Sequence, residues 1–239
     1  MIFAAGLGTR LRPLTNDKPK AMVELAGKPL LQHAIEKLKQ AGFDEIIINV
    51  HHFADQIEEF LTRNQNFDLD ITISDERSLL LDTGGGLKKA AKFFSDSVPF
   101  LVYNVDIFSD LDLNELYQTH QKAGNLATLA VNKRAGNRFF LFDRRGILCG
   151  WENNTTGQQI ITRNCNELVP WYFCGIHVID PQIFYLIKEE GVFSIVDIYL
   201  RLANEHKIGM KPHQDGYWFD LGTVEKLKSA ENLIESQKN

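Results

Sequence analysis

Within its first twenty residues the chain places two glycines, a hydroxyl and four cations close together. Ala4-Ala5-Gly6-Leu7-Gly8-Thr9-Arg10 continues through Leu11-Arg12-Pro13-Leu14-Thr15 to Lys18-Pro19-Lys20. The opening run Ile2-Phe3-Ala4-Ala5 reads as the end of a buried strand. Glycine has no Cβ, so the backbone after that strand can turn sharply and bring its N–H groups close to a ligand. Thr9, Arg10, Arg12, Lys18 and Lys20 then supply donors and positive charge, a combination that suits a polyphosphate. The other reading is a tight turn followed by a solvated basic surface. Two familiar phosphate loops fit poorly. A Rossmann dinucleotide loop needs a third small residue where Leu11 stands, which argues against an NAD-dependent dehydrogenase, and no Gly-Lys-Ser/Thr run of a Walker A loop is present.

Further candidates lie later in the chain. Asp106 follows the apolar stretch ending near Tyr103, and Asp220 follows Tyr217-Trp218-Phe219. A carboxylate just past a strand can hold a hard cation such as Mg²⁺ together with phosphate oxygens. Taken singly, each aspartate is more often a cap or turn residue. Leu81-Asp82-Thr83-Gly84-Gly85-Gly86 is either a flexible turn or a flat backbone surface whose N–H and C=O groups read the edge of a base. Arg138 is a candidate for a phosphate contact or a surface charge, and Asp197 for a polar ligand contact or a solvent-facing position. His51-His52 read as polar residues at a sheet rim rather than as metal ligands.

These residues must be positioned by strands alternating with helices. Leu30, Leu31, Ala34, Ile35, Leu38 and Ala41 keep helical spacing, and Gly42 is a natural stop. Ile46 to Val50 is a continuous apolar run suited to a strand buried on both faces. A second amphipathic helix is expected over 54–63, a strand over 69–73, a helix after the glycine run at 84–86, and a buried strand over 99–103. This alternation predicts an α/β, Rossmann-like, mostly parallel twisted sheet with helices on both faces. Beyond about residue 125 the pattern changes. A strand is expected over 126–131, a hairpin around Arg144-Arg145-Gly146, a polar loop or mobile flap over 152–167, and a strand over 172–179. Helices are expected from Asp180-Pro181, over 194–205 and over 223–236. The expectation is one domain, 1–239, in two halves, one to about 125 and one from about 126.

At 239 residues the chain can bury one sizeable core. Its net charge of −5 does not favour nucleic acid, so the local basic cluster reads as a site for a small anion. No apolar run approaches the roughly 20 residues of a membrane span. No signal peptide precedes the first motif, and a cytoplasmic protein is expected. Cys149, Cys165 and Cys174 are odd in number and lack metal-ligand spacing, so reduced thiols are expected. Only five residues precede Gly6, short for a central strand, so a longer native N-terminus is expected.

The first motif, Gly-x-Gly continuous with Thr-Arg-x-Arg-Pro-x-Thr and Pro-Lys, resembles the signature of the sugar-1-phosphate nucleotidyltransferases. Trp218-Phe219-Asp220-Leu221-Gly222-Thr223 matches a second family segment closely, and Asn104-Val105-Asp106 matches a third, with Val105 where many members have Gly. The glycine run most resembles that of the bacterial uridylyltransferases acting on N-acetylmuramate 1-phosphate, with Asp82 replacing Glu. The resemblance implies the reaction of an NTP, UTP favoured, with a sugar 1-phosphate, and a nucleotidyltransferase or GT-A-like fold. It implies Arg10 and Lys20 as catalytic cations and Asp106 and Asp220 as ligands of Mg²⁺. Ala5, Gly6, Gly8, Thr9, Asp82, Thr83, Gly84, Gly85 and Asn104 would bind nucleotide, and Arg138, Gly175 and Asp197 the sugar phosphate. A cytidylyltransferase for phosphocholine and a guanylyltransferase for a hexose phosphate would share the first loop and the two aspartates. A non-catalytic subunit of the same fold would have lost charge at 20, 106 or 220, and all three charges are present.

Overall fold

The computed structural model describes residues 1–239 apart from Asp96, Ala135 and Asn239. The chain begins β1 (Ile2–Phe3), β2 (Glu24–Leu25), β3 (Lys28–Pro29), α1 (Leu30–Gln40), β4 (Glu45–Val50), α2 (Ala54–Arg63) and β5 (Asp70–Asp75). It continues α3 (Asp82–Ala90), β6 (Phe100–Asn104), β7 (Ile107–Ser109), α4 (Leu113–Ala123), β8 (Ala127–Asn132), β9 (Arg138–Phe142) and β10 (Leu148–Asn153). The last third is β11 (Gln158–Ile161), β12 (Val169–Ile179), α5 (Ile183–Leu186), α6 (Ile195–Leu202), β13 (Ile208–Pro212), β14 (Trp218–Asp220) and α7 (Val224–Lys238). The α/β class read from the sequence holds. Two compact units form, and they interleave in the sequence instead of dividing near residue 125. The first comprises Met1–Leu81, Tyr103–Leu111 and Tyr217–Asn239, the second Asp82–Val102 and Asp112–Gly216.

In the first unit β1 lies between β4 and the end of β6, with β5 beyond β4, all parallel. Ile2 pairs with Ile48 and Tyr103, and Ile48 with Ile73. Parallel strands covered on both faces are read as unbroken apolar runs, and Ile46, Ile47, Ile48 and Val50 of β4 are all buried. Helix α1 buries the stripe Leu30, Leu31, Ala34, Ile35 and Leu38. Each of the leucine and isoleucine side chains so withdrawn from water contributes about 1.5–3 kcal/mol before the entropy of ordering it is set against that gain. A separate antiparallel ribbon joins β7 to β14.

The second unit is built differently. Strand β13 runs parallel to β8, and β8, β12, β9, β10 and β11 follow in antiparallel order. The hairpin around Arg144-Arg145-Gly146 forms as expected. Its turn is closed by Asp143, whose Oδ1 accepts from the amides of Arg145 and Ile147, each at 2.9 Å. Helix α4, absent from the sequence reading, carries its own start signal: Asp112 accepts from the Glu115 amide at 3.0 Å.

Three expectations are corrected here. The polar stretch 152–167 is not simply a loop, because Gln158–Ile161 forms a strand antiparallel to β10. The cysteines are not all reduced: Cys149 and Cys165 form a disulfide, while Cys174 keeps its thiol. The β10–β11 hairpin brings the bonded pair together, since Cys149 stands in β10 and Cys165 just beyond β11. Burial pushes the Cys174 thiol up to about 12, so it stays protonated. Finally, the glycine run does not precede a helix; it lies inside the first turns of α3. No helix of the described residues is long and apolar enough to cross a membrane.

His177 of β12 is 1% exposed, and its Nδ1 shares a 2.9 Å hydrogen bond with the Tyr199 hydroxyl of α6. Burial pushes its pKa down to about 3. The unfolded chain binds that proton at about 6.5 and the fold does not. Stability is therefore unaffected above about pH 6.5 and falls as pH drops toward 3. At about 1.4 kcal/mol per unit, roughly 2–3 kcal/mol is lost by pH 4.5 through this residue. In urea titrations from pH 7.5 to 4.5, His177→Gln should show a shallower decline than the wild type by that amount. Parallel curves would refute the assignment.

Candidate active site

The phosphate-loop candidate occupies the end of β1 in the first unit. Gly8 has φ +63° and its carbonyl accepts from the Leu11 amide and from Thr15 Oγ1, both at 2.9 Å. A Cβ at Gly8 would lie 3.0 Å from Lys20 Cβ and from Thr15 Cγ2. Glycine is thus required both by the left-handed backbone and by the close packing of Lys20. Leu11, the residue that argues against a Rossmann loop, is fully buried and anchors the turn. Gly6, Thr9 and Arg10 are exposed, and the space where Gly6 would carry a Cβ is open.

The two aspartates meet through the β7–β14 ribbon. Its register pairs Asp220 with Ile107, and the Leu221 amide donates to the Asp106 carbonyl at 2.8 Å. Antiparallel pairing therefore sets the two carboxylates at the same end of the ribbon. Around them the cations converge. Lys20 Nζ forms an ion pair with Asp106 Oδ2, whose side chains are only 12% and 15% exposed. Lys226 Nζ donates to Asp220 Oδ2 at 3.1 Å. Burial pushes the Asp220 carboxyl up, but Lys226, Lys20 and Arg10 outweigh it and hold the group below the usual carboxylate range. Val105 is buried and is not among the residues with positive φ, so it meets no backbone strain before Asp106.

A buried polar chain holds the loop from behind. The sheet ends where Ala4 leaves it, and the Ala4 amide donates to Asn49 Oδ1 at 2.7 Å. Asn49 Nδ2 donates to Glu76 Oε1 at 2.8 Å, and the Leu81 amide to Glu76 Oε2 at 3.2 Å. Sequence reasoning passed over Asn49, Glu76 and Lys226. Asn49 had a signal, a polar residue inside an apolar run. So did Lys226: a lysine in the first turn of α7 opposes the helix dipole unless an acid faces it. His51, as expected at the rim, has Nδ1 2.7 Å from the Glu76 carbonyl.

In the second unit the base-loop candidates are partly spent on packing. Gly84 and Gly85 donate their amides to the Phe193 carbonyl at 2.9 and 3.2 Å. A Cβ at Gly84 would lie 2.4 Å from the Phe193 ring. These glycines let α3 approach the segment before α6, so their N–H groups are not open to a base, a correction to the expectation. Thr83 Oγ1 accepts from the Ile195 amide at 3.0 Å, and exposed Asp82, at φ +59°, accepts from the Thr83 amide at 2.6 Å. Arg138 is exposed at the start of β9 and Asp197 is exposed on α6. Gly175 is buried, at φ +74°, where the β12–β8 register shifts. Ala5 is buried beside the loop, and Asn104 pairs with Phe3 at the end of β6.

A Cβ at Gly222 would lie 2.5 Å from Arg10 Nη2 and 2.8 Å from Asp220 Oδ1. Gly222→Ala should therefore displace the Arg10 guanidinium. We expect about tenfold weaker binding of inorganic pyrophosphate by calorimetry, some 1.4 kcal/mol, with the melting temperature nearly unchanged. Unaltered affinity would separate Arg10 from the anion site.

Residues 1–140 match the family model described as nucleotidyl transferase. The N-acetylmuramate alpha-1-phosphate uridylyltransferase of Caulobacter vibrioides is 33% identical, with 99% of this chain and 97% of the relative covered. The mannose-1-phosphate guanyltransferase of Hypocrea jecorina is 38% identical, over 99% of this chain and 64% of the relative. The structure of UDP-glucose pyrophosphorylase from Acinetobacter baumanii has a TM-score of 0.80 at 17% identity, over 99% of this chain and 92% of that one. That likeness concerns the fold, while the family match covers the loop, Lys20 and Asp106. On these grounds the chain belongs to the nucleotidyl transferase family.

Proposed function

We propose that this protein joins UTP and a sugar 1-phosphate into a UDP-sugar and pyrophosphate, with N-acetylmuramate 1-phosphate as the sugar substrate. The observation that carries the reading is the meeting of Asp106 and Asp220 on the β7–β14 ribbon with Lys20, Lys226 and Arg10 around them. The choice of base and sugar is supported by the Caulobacter relative, which this chain matches nearly end to end. A guanylyltransferase for mannose 1-phosphate is the second reading, favoured by the 38% identity of the Hypocrea enzyme.

The donor set fits a divalent cation. Asp106 and Asp220 offer carboxylate oxygens, the hard ligands that Mg²⁺ takes together with phosphate oxygens and water. When bound, Mg²⁺ would supply positive charge that offsets the negative charge of the phosphates. The nucleophile is a phosphate oxygen of the sugar 1-phosphate, already anionic at neutral pH, so the protein need supply no general base. It attacks the α-phosphorus in line and pyrophosphate leaves. Catalysis is then positioning and charge stabilisation. Gly8, Thr9 and Arg10 cradle the leaving pyrophosphate, and Lys20 serves the α-phosphate as negative charge builds there. Within the second unit, the Asp82–Thr83 turn is assigned to the base and Gly175, Asp197 and Arg138 to the sugar phosphate.

A cation about 4 Å from a phosphate oxygen gains roughly 4 kcal/mol at an effective dielectric near 20. Losing a preorganised contact of this kind lowers kcat by about 10²–10³, and that is the loss expected for Lys20→Ala in steady-state assays. Near wild-type turnover would remove Lys20 from the mechanism. The decisive experiment is a pyrophosphate-release screen of each NTP against sugar 1-phosphates and phosphocholine. UTP-selective release with N-acetylmuramate 1-phosphate supports the proposal. Release with GTP and mannose 1-phosphate supports the second reading, and release with CTP and phosphocholine overturns both.

A further inference from the structure

The disulfide lies in the second unit, among residues that the transfer reaction does not use. Cys149 is fully buried, whereas Cys165 is half-buried and lines a cavity of about 560 Å³. Arg144, Arg145 and Arg163 line the same cavity, with Asp143 and Glu167. Arg144 is paired with Glu167 at 2.6 Å, and Arg145 with Asp143 at 3.2 Å. Arg163 has no carboxylate partner among the described residues; its guanidinium donates to the carbonyls of Ala203, Asn204 and His206 at 3.0–3.4 Å. One of the three positive charges thus lacks a carboxylate partner, and it lies two residues along the chain from the accessible sulfur.

The set Asp143, Cys149 and Cys165 is close enough to suggest a metal site. The geometry argues otherwise, because both Asp143 oxygens are taken up by the Arg145 and Ile147 groups of the turn. The base of the β10–β11 hairpin is also held independently of the sulfurs. The Cys149 carbonyl accepts from the amides of Thr162 and Arg163 at 2.8 and 3.2 Å, and from Thr162 Oγ1 at 3.2 Å. The sulfur–sulfur bond can therefore open without undoing the hairpin.

We propose that the Cys149–Cys165 bond is a thiol–disulfide exchange site that reacts at Cys165 with low-molecular-weight thiols carrying carboxylates. The incoming thiolate attacks Cys165 Sγ. A new sulfur–sulfur bond forms to Cys165, the bond to Cys149 breaks, and its electron pair leaves on Cys149 Sγ, which takes a proton from solvent. A second thiolate attacks the mixed disulfide and releases Cys165. In sum, two small thiols are oxidised to one disulfide while the protein disulfide is reduced to two thiols. Access selects Cys165 over Cys149 as the sulfur attacked. The unpaired Arg163 charge selects an anionic reagent, an effect that salt screens.

The test uses the full chain purified without reductant. Alkylation after denaturation should label Cys174 alone; labelling of all three cysteines overturns the proposal. The native protein is then incubated at low ionic strength with mercaptosuccinate, 2-mercaptoethanol or cysteamine, acid-quenched and mapped by peptide mass spectrometry. We expect the mixed disulfide on Cys165, forming about three- to tenfold faster with mercaptosuccinate than with cysteamine after correction for thiolate fraction. The advantage should vanish in about 1 M salt and in Arg163→Gln, and return in Arg163→Lys. An adduct on Cys149, an inert bond, or a rate order indifferent to salt and to residue 163 would each overturn it. Cys149→Ser provides a second arm: its lone Cys165 should exchange with oxidised glutathione faster than Cys174 does, and the reverse order refutes the site.

Discussion

Opposite charges gathered at one end of a two-stranded ribbon are the constraint on which the first unit turns. Asp106 and Asp220 are mostly buried carboxylates, and placing them together without cations would be costly. Lys20 and Lys226 meet them directly, and the Arg10 charge helps hold Asp220 ionised. Among these five groups the cations outnumber the carboxylates by one. The array is thus stable as it stands and still biased toward an anion. In the reaction proposed above, a ligand bringing its own phosphates and a divalent cation would exchange these partners without leaving any charge bare. The groups are already ordered, so little reorganisation is left for the reaction itself.

Everything near the array serves to hold it. The Gly8 turn seats Lys20, with Leu11 as its apolar anchor. Behind it, Asn49 and Glu76 tie the first residue beyond β1 to the next strands. A buried polar network of this kind stabilises only when each member is satisfied, and here Asn49 is satisfied at both ends, its Oδ1 by the Ala4 amide and its Nδ2 by Glu76. Gly222 is small because the Arg10 guanidinium occupies the space a side chain would need. In the second unit, by contrast, the glycine run has a packing role: it lets Phe193 sit against α3. The same residue type makes room for a cation in one unit and for an aromatic ring in the other.

Local sequence was enough for much of the fold. Helix α2 falls on its expected bounds, and the strands β4, β6 and β12 were read to within a few residues, because hydrophobic periodicity is a property of neighbouring residues. Short or edge elements escaped. Strands β7, β11 and β13 are three to five residues long and mostly lack an apolar pattern of their own; their pairing depends on a distant partner. The stretch 152–167 looked like a loop because its polar residues form an edge hairpin with little to bury.

The division follows from what a sequence encodes directly. By itself it determined the residue types of the candidate phosphate loop, the alternation that makes the α/β class, and Asp106, Asp220, Arg10 and Lys20 as candidates. Only the tertiary structure decided that Asp106 and Asp220 share one ribbon end, that Lys226 joins them, that the Gly84 and Gly85 amides are spent on Phe193, and that Cys149 bonds Cys165 rather than Cys174. Each of those outcomes is a long-range pairing. Spacing along the chain fixes local backbone geometry, while register between distant strands is set by the cooperative burial and hydrogen bonding of the whole unit.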